Sequence, residues 1–321
     1  MGASREEFDR MRCSIPSLAA MDDEGCDRLY ECFVGVEERY GAEPIDFFRY
    51  RLFEKDLEEI PSYLMHYEYA ALCGRLNDPI LASSIFDRVS FYRVYDDFLM
   101  RDWVVGEPDC REHFHELCEH NRKLAYKIKS GMQGRDFDIV PTYEATYLWR
   151  DALAERAIVE EVIEQHEDMA VLFPKTVSSV RLITAINDGK VTIPAAVLRC
   201  GRRRAPVGAG EGWHLFASLD MATGTVVTCG NSHLLERFDC HPDTGVSFEG
   251  FVVPQWEELL AKATEAALTH PGLRLMNWDW ACRKDGAWCL LKGKLTRGVG
   301  LCQEALGRGL KAEVHEALVL T

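Results

Sequence analysis

The residues best placed for chemistry lie in the stretch NWDWACRKDGAWCLLKGK, where one carboxylate stands among apolar side chains. Two apolar runs flank the Asp-Gly pair at 285–286, a pattern that predicts a β-hairpin. With a two-residue loop, Asp279 lies opposite Lys292, and the same count places Asn277 opposite Lys294. We therefore expect a cross-strand ion pair at Asp279. Because an ammonium group has only donors, the two lysines can bind anions but cannot ligate a metal ion.

A second candidate stretch is KIKSGMQGR, in which Lys127 and Lys129 alternate along a predicted strand before Gly131 and Gly134. Alternate residues of a strand point to the same side, so both ammonium groups share one face. Glycine lets backbone N–H groups approach phosphate oxygens, and lysine supplies a compact positive charge. The stretch therefore fits a phosphate-binding loop. The alternative is a solvated basic hairpin, because short glycine loops are common.

Charged residues also interrupt three predicted apolar strands. The run IVEEVIEQH becomes acidic at Glu160 and Glu161. Such a segment can offer backbone groups to a purine and carboxylates to a ribose, or it can be a strand end that faces water. Arg181 and Arg199 each lie inside an apolar strand, where a guanidinium needs a carboxylate or a bound phosphate as its partner. Structural ion pairing and ligand binding both stay open for these arginines.

Length and composition are those of a globular chain with an acidic balance. The 321 residues are 47% hydrophobic and 28% charged, enough for two or three domains. The net charge of −15 argues against a nucleic-acid partner or an anionic membrane surface, but it allows a local basic cleft for a nucleotide. No apolar run approaches the roughly 20 residues of a membrane span. The start, MGASREEFDRMRCSIP, lacks the apolar segment of a secretory signal, so we expect reduced cysteines and a cytoplasmic location.

The local patterns predict three units along the chain. Residues 1–80 are expected to form a helical N-terminal extension, 81–159 a small α+β unit, and 160–321 a larger antiparallel α+β unit. The stretch SSIFDRVSFYRVYDDFLM predicts one helix. Strands are expected in RKLAYK, DFDIV, AERAIVEEVIEQH, SSVRLITAI, KVTIPAAVLRCG, WHLFASLDM and GTVVTCG. Helices are expected in VPQWEELLAKATEAALTHPG and, at the end of the chain, in GLCQEALGRGLKAEVHEALVL.

The order of these stretches resembles the ATP-grasp fold, in which two α+β lobes hold a nucleotide between antiparallel sheets. The resemblance is densest in IVEEVIEQHEDMAVLFPKTVSSVRLIT and in HPDTGVSFEGFVVPQWEELLAKATEAALTHPGLRLMNWDWA. These segments are similar to the EEYI-QH, VNT-R-VT, HPDTG-FEGF-IP-W and GWD-A patterns of the sugar-transfer-associated, or α-L-glutamate-ligase-like, group. In looser form the resemblance covers about residues 80–310.

The resemblance implies an ATP site with Mg²⁺ as its metal ion. Lys127 and the two glycines would cover the phosphates, the acidic segment would hold the adenine as a hinge, and Arg88 stands where the family has a lysine. The residues so assigned to the nucleotide are Arg88, Lys127, Lys129, Gly131, Gly134, Glu160, Glu161, Val162 and Ile163. Arg181 and Arg199 are the implied catalytic residues facing the transferred phosphate. Asp279 matches the first metal ligand.

Two departures from the family pattern lie close to this site. Where the family has LIEGN, this chain has LLKGK, so Lys292 and Lys294 replace the Glu and Asn that complete the metal site. Two ammonium groups repel Mg²⁺ and can instead bind phosphate themselves, so we include them among the nucleotide-binding residues. The stretch VGAGEGWHLFASLD departs from a VDN and Gly-Gly pattern, which affects the expected acceptor site.

Three functions are compatible with these residues. The first is an ATP-dependent ligase that joins a carboxylate to an amine through an acyl phosphate, in cell-surface polysaccharide or related biosynthesis. The second is a catalytically silent nucleotide-binding scaffold, and the third is a small-molecule kinase. The expected partners are a nucleotide and a small-molecule or sugar-linked substrate, with a protein of the same biosynthetic cluster as a further candidate.

Overall fold

The structure, a computed structural model, describes residues 5–128, 137–203, 214–295 and 298–319. It contains helices and two antiparallel sheets, of four and eight strands, which is the α+β class that the sequence predicts. The smaller sheet is formed by residues before 162 and the larger sheet by residues after 178. The candidate site lies where these two sheets approach each other.

The N-terminal part of the chain is helical, as expected. Its helices are α1 (Arg5–Ser14), α2 (Pro16–Ala19), α3 (Asp23–Tyr40), α4 (Pro44–Arg49) and α5 (His66–Leu76). The Asp22 side chain accepts a hydrogen bond from Gly25 N and so caps α3, and Gly41 ends that helix at a φ of +66°. Helices α1, α3 and α4 bury a cluster of aromatic rings that includes Phe8, Phe33 and Phe47.

The smaller sheet follows three short helices, α6 (Pro79–Phe86), α7 (Arg88–Val94) and α8 (Asp96–Leu99). The single helix predicted here is wrong, because Asp87 adopts an extended backbone and caps α7 by accepting from Ser90 N. The next elements are β1 (Trp103–Val105), α9 (Arg111–His120), β2 (Lys123–Lys127), β3 (Phe137–Pro141), α10 (Ala145–Glu155) and β4 (Ile158–Glu161). The strands are ordered β1-β4-β2-β3.

The two faces of the smaller sheet differ in chemistry. One face packs Leu124 and Val159 against α9 and α10. The other carries Lys127 and Glu160, because successive strand residues point to opposite sides. This second face is the one that lies toward the larger sheet, since Arg101, which binds Glu160, also donates to the carbonyl of Leu290 there.

The larger sheet has the strand order β10-β9-β8-β7-β5-β11-β12, with β6 paired to β5. Its elements are α11 (Glu167–Ala170), β5 (Ser179–Asn187), β6 (Lys190–Thr192), β7 (Ala196–Cys200), β8 (Leu215–Ser218), β9 (Gly230–Asn231), β10 (Arg237–Phe238), α12 (Trp256–Thr269), β11 (Leu275–Cys282), β12 (Trp288–Lys294), α13 (Gly298–Leu306) and α14 (Lys311–Leu318). Helix α12 packs on the face of Leu182 and Trp278. Helices α13 and α14 pack on the opposite face, which carries Ile183 and Leu275.

Two predictions in this region need correction. The stretch GTVVTCG is not a regular strand: Thr225 and Val226 form isolated bridges, and only Gly230 belongs to β9. The final helix is two helices, because Gly307 follows α13 with a φ of +68°. None of the helices in the described ranges has the length and apolarity needed to cross a membrane.

The β11–β12 hairpin has the predicted cross-strand pairs but a different loop. Asp279 pairs with Lys292 and Asn277 pairs with Lys294. Near the turn, however, Gly286 has a φ of +88° and Arg283 N donates to the carbonyl of Ala287, which makes a loop of three residues rather than two. A β-bulge beside Asp279 then shifts the register by one residue. The two differences from the predicted geometry cancel at the charged positions.

Candidate functional site

Asp279 lies at the centre of a group of cations that we call the Asp279 cluster, consisting of Asp279, Arg181, Arg199 and Lys292. Arg181 donates two hydrogen bonds to the carboxylate, from Nε to Oδ1 at 2.6 Å and from Nη2 to Oδ2 at 2.8 Å. Arg199 Nη1 and Lys292 Nζ approach Oδ2 at 3.3 and 3.5 Å. The strand register brings these groups together, because β5 and β12 are the two neighbours of β11.

The charges of the Asp279 cluster do not balance within it, since three cations surround one carboxylate. Burial would raise the pKa of Asp279, but Arg181, followed by Arg199 and Lys292, holds that pKa well below its usual range. Burial of the ammonium group and the neighbouring cations lower the pKa of Lys292 to about 8, against the opposing effect of Asp279. Because 46% of the Lys292 side chain is exposed, water also screens this group. Lys292 is therefore the exposed cation of the cluster, and the two arginines are its buried cations.

A second ionic group, the Glu160 cluster, lies on the smaller sheet and consists of Glu160, Lys127, Arg101 and Tyr92. Lys127 Nζ forms an ion pair with Glu160 Oε1, and Arg101 Nε donates to Oε2 at 2.9 Å. The Tyr92 hydroxyl donates to Oε2 at 2.6 Å and accepts from Lys127 Nζ at 2.8 Å. Glu160 is 2% exposed, and both of its carboxylate oxygens have hydrogen-bonding or ion-pair partners.

The pKa shifts in the Glu160 cluster agree with an ion pair that is ionised on both sides. Burial would raise the pKa of Glu160, but Lys127 and Arg101 lower it to about 2. Burial alone would lower the pKa of Lys127, and the adjacent carboxylate reverses that effect, so the pKa of Lys127 is raised. Two cations against one carboxylate again leave a positive excess.

Arg101 joins the two sheets. In addition to binding Glu160, its Nη1 donates to the carbonyl oxygens of Leu99 and Leu290, both at 2.8 Å. Leu290 lies on β12, two residues before Lys292. The segment after β4 forms a second connection, because His166 N donates to the carbonyl of Cys282 at 2.9 Å. The smaller sheet is thus tied to the hairpin that carries the Asp279 cluster.

The structure brings some of the sequence-predicted site residues together. Lys127 and Glu160 form one cluster, and Arg181, Arg199 and Lys292 form the other.

The remaining predicted residues lie near these clusters or outside the description. Glu161 Oε2 accepts from Asp102 N at 2.9 Å, and Val162 and Ile163 continue the chain after β4. Arg88 Nη1 donates to the carbonyl of Ile128 at 2.5 Å, and Ile128 follows Lys127 in the sequence. Lys294 lies two residues after Lys292, and its side chain is therefore on the same side of β12. Lys129, Gly131 and Gly134 lie outside the described residues.

Four residues near the predicted site were not predicted from the sequence. Arg101 and Tyr92 belong to the Glu160 cluster, and Phe137 and Ile139 lie beside Lys127 on β3. Arg101 and Tyr92 bind Glu160 from 59 and 68 residues away, so no local spacing could have identified them. Phe137 and Ile139 lie on the same face of the sheet as Lys127, opposite Lys127 and Ala125 in the register, and their side chains are 53% and 46% exposed. Their alternation in FDIV was a usable signal, since two apolar residues on a polar face need an apolar partner.

Asp279 does not fit the role of a metal ligand in this arrangement. Both carboxylate oxygens are engaged by cationic donors, and the positions where the family has further oxygen ligands are lysines. In the portion of the chain that the structure describes, no group of three or more His, Cys, Asp or Glu side chains could hold a metal ion. A divalent cation would enter a site that already has surplus positive charge. The same arrangement favours an anion with several negative oxygens.

Comparison with known proteins identifies a family. Residues 143–317 match the sequence model of the sugar-transfer associated ATP-grasp family, which is more than half of the chain. A search of curated proteins finds no match.

The solved structures that resemble this chain include a synthetase and two ligases. D-alanyl-alanine synthetase A from Vibrio cholerae is 9% identical with a TM-score of 0.46, and the match covers 76% of this chain and 67% of that one. The ATP-grasp ligase PsnB, complexed with a minimal precursor, is 14% identical with a TM-score of 0.45, covering 76% of this chain and 62% of that one. D-alanine–D-alanine ligase from Bacillus anthracis is 14% identical with a TM-score of 0.42, covering 78% and 73%.

This chain therefore spans about two thirds of the length of the first structures that it matches. Likenesses of this strength assign neither a substrate nor the role of a residue. The family match is sufficient for one conclusion: the chain belongs to the sugar-transfer associated ATP-grasp family.

Proposed function

We propose that this protein binds ATP between its two sheets and uses it as an ATP-dependent carboxylate–amine ligase. The observation that carries the proposal is the concentration of cations in the two clusters. They bring together five cations and two carboxylates, in a chain whose net charge is −15. A triphosphate supplies several negative oxygens that such a concentration of cations can bind.

The two clusters offer different contacts to the nucleotide. Arg181, Arg199 and Lys292 are arranged to hold phosphate oxygens in place of a metal ion, with Lys294 beside them. On the smaller sheet, the exposed ring of Phe137 provides an apolar surface for a purine next to Lys127. The acidic segment after β4 then provides the hinge that the family resemblance implies.

The proposed reaction has two balanced steps. A substrate carboxylate attacks the terminal phosphorus of ATP, so that the bond to the β-phosphate oxygen breaks, ADP leaves and an acyl phosphate forms. An amine then attacks the acyl carbon, loses a proton, and expels inorganic phosphate. Arg181 and Arg199 would stabilise the charge on the transferred phosphate, because their guanidinium groups are held rigidly by Asp279. We place this reaction in cell-surface polysaccharide or related biosynthesis and in the cytoplasm.

The engagement of Asp279 by three cations favours a second candidate, a scaffold that binds nucleotide without turnover. In that case the ion pairs would fix the hairpin in one arrangement, and the lysines would stand in for the metal ion as binding groups only. A small-molecule kinase is the third candidate, in which a hydroxyl group replaces the carboxylate as the phosphoryl acceptor.

Thermal unfolding with ATP, with and without Mg²⁺, tests nucleotide binding. A ligand that binds only the folded state raises the melting temperature by mass action. We expect a rise with ATP that does not require Mg²⁺, and a lack of any rise would contradict the proposal. Product analysis then separates the candidates: a ligase releases ADP and phosphate, a kinase releases ADP without free phosphate, and a scaffold releases neither.

The double variant Lys292→Glu with Lys294→Asn restores the side chains of the family pattern. We expect it to convert metal-independent ATP binding into Mg²⁺-dependent binding, because a carboxylate and an amide oxygen replace two ammonium groups. Lys284→Glu is the matched control, since Lys284 lies near the turn of the same hairpin and is 75% exposed. Unchanged metal dependence in the double variant would show that β12 does not line the nucleotide site.

A further inference from the structure

A polar cavity of about 80 Å³ lies where the N-terminal helices meet the edge of the larger sheet. The N-terminal side contributes Arg49, Arg51, Glu54 and Lys55, from the end of α4 and the segment after it. The other side is formed by the β9–β10 hairpin, with Arg237, and by the end of α13, with Glu304. None of these residues belongs to the Asp279 cluster or the Glu160 cluster. The volume is sufficient for a carboxylate or phosphate group.

The cavity has more positive than negative charge. Glu54 is neutralised by Arg51, which binds it with hydrogen bonds of 2.6 and 2.7 Å. Glu304 accepts from His233 Nδ1 at 3.0 and 3.1 Å if that nitrogen carries the proton.

Three further cations line the same space. Lys55 donates to the carbonyl of Gly307 at 2.6 Å and forms an ion pair with Glu59 at 3.8 Å. Within the described ranges, the side chains of Arg49 and Arg237 make neither a hydrogen bond nor an ion pair, and Arg237 acts on Glu54 through its electric field. Guanidinium groups with free donors beside a cavity are suited to bind a carboxylate or phosphate in a bidentate manner.

The backbone around the cavity is also unusual. Arg51 has a φ of +53° and Leu235 a φ of +60°, the left-handed region that side chains other than glycine seldom adopt. The two residues are joined, because Arg51 Nη1 donates to the carbonyl of Leu235 at 3.2 Å. Strained residues of this kind cluster at sites of function, where the surrounding structure holds them in place.

Buried side chains separate the cavity from the Asp279 cluster. Arg199 on β7 pairs with Phe216 on β8, which in turn pairs with Asn231 on β9, one of the cavity residues. Phe216 is fully buried in the core that α13 covers, and the ring of His233 lies 5.0 Å from its ring. The cavity and the Asp279 cluster are therefore separate sites.

We propose that this cavity is a second anion site, which binds a small ligand that carries a carboxylate or a phosphate group. The inference goes beyond the proposed function, because none of the residues that carry it belongs to the Asp279 cluster or the Glu160 cluster. Arg49 and Arg237 would bind the anionic group, and the N-terminal helices would thus contribute to recognition of this ligand.

The test measures binding of inorganic phosphate and of succinate by calorimetric titration at constant ionic strength. The variants are Arg49→Gln and Arg237→Gln, with Arg28→Gln as a control of equal charge, since Arg28 is 64% exposed and pairs with Glu24 on α3. We expect each cavity variant to weaken binding about tenfold, as loss of one charged hydrogen bond does, and the control to bind like wild type.

Preference for phosphate or for succinate identifies the kind of acidic group, and either result supports the anion site. Equal affinity of wild type and both cavity variants, with melting temperatures showing that all are folded, would overturn it. Soaking crystals with tungstate gives an independent measurement, in which anomalous scattering at the cavity is expected, and scattering confined to the Asp279 cluster contradicts the inference. The ATP-induced shift in the melting temperature of wild type tests the proposed function separately, so failure of either idea is recognised on its own.

Discussion

Replacing Asp279 with asparagine tests whether this carboxylate is a structural counter-ion. The substitution keeps the shape of the side chain and removes its charge. Arg181 and Arg199, 4% and 7% exposed, would then remain buried without the carboxylate that binds them in wild type. Breaking a buried ion pair by removing one partner costs about 3–5 kcal/mol, most of it from the unpaired charge that is left. We expect Asp279→Asn to lower the free energy of unfolding by an amount in that range.

Equilibrium unfolding in urea measures the effect, with an unchanged m-value as evidence that the unfolded surface is the same. Lys292→Met is the matched control. Its ammonium group approaches Asp279 only at 3.5 Å and its side chain is 46% exposed, so the ion pair is screened and its loss should cost less than about 1 kcal/mol. The two variants therefore separate the buried interaction with arginine from the exposed one with lysine.

The opposite result is expected of a carboxylate kept for metal binding. Without the metal, such a group is repelled by its fellow ligands, and its removal stabilises the folded protein. If the free energy of unfolding of Asp279→Asn lies within about 0.5 kcal/mol of the wild-type value, or above it, the counter-ion role assigned to Asp279 is refuted.

Three further predictions concern the rest of the described structure. Glu160→Gln should lower the free energy of unfolding more than Lys127→Met does, because Arg101 still neutralises Glu160 in the lysine variant. The pKa of Glu160 is lowered to about 2, so its stabilising effect is present above about pH 4.5 and is lost as the pH falls through about 2. Urea unfolding across that pH range measures this loss. Burial raises the pKa of Asp46 to about 7, so stability should fall as the pH rises from about 4 to 7, and a flat profile in wild type would contradict this. Phe137→Ala should weaken ATP binding about tenfold in titrations and leave unfolding nearly unchanged, whereas Tyr143→Ala, at an 84% exposed side chain, should change neither.

Local periodicity was sufficient to predict most strands of the larger sheet and the pairing of Asp279 with Lys292. Each of these depends on residues close in the sequence, namely alternation within a strand and an Asp-Gly turn. The hairpin also shows the limit of counting. The pair is correct because a longer loop and a bulge cancel, and neither is visible in the sequence. A prediction of register from loop length alone would have failed one residue nearer the turn, at Trp280, which pairs with Leu290.

The partners of buried charges could not be predicted in the same way. The sequence indicated that Arg181 and Arg199 need an anion, but whether it is a carboxylate or a phosphate depends on which strand lies next to theirs. Glu160 illustrates the point more strongly, since its partners Arg101 and Tyr92 come from a separate loop and helix. Side chains that act across a fold are selected by tertiary contacts, and local propensity carries no information about them.

The two charge clusters share a composition that bears on the missing metal ligands. Each has one buried carboxylate with more cations than it can neutralise, and the carboxylate fixes the direction in which those cations point. In a site that uses a divalent cation, the positive charge binds together with the nucleotide, and the acidic ligands are not neutralised until it binds. Here the positive charge belongs to the protein, so phosphate affinity should fall steeply with added salt and be insensitive to chelators. Those two measurements are made on the same ATP titration. They distinguish a site in which lysine and arginine replace the metal ion from a site that no longer binds nucleotide, because only the first binds ATP in the presence of a chelator.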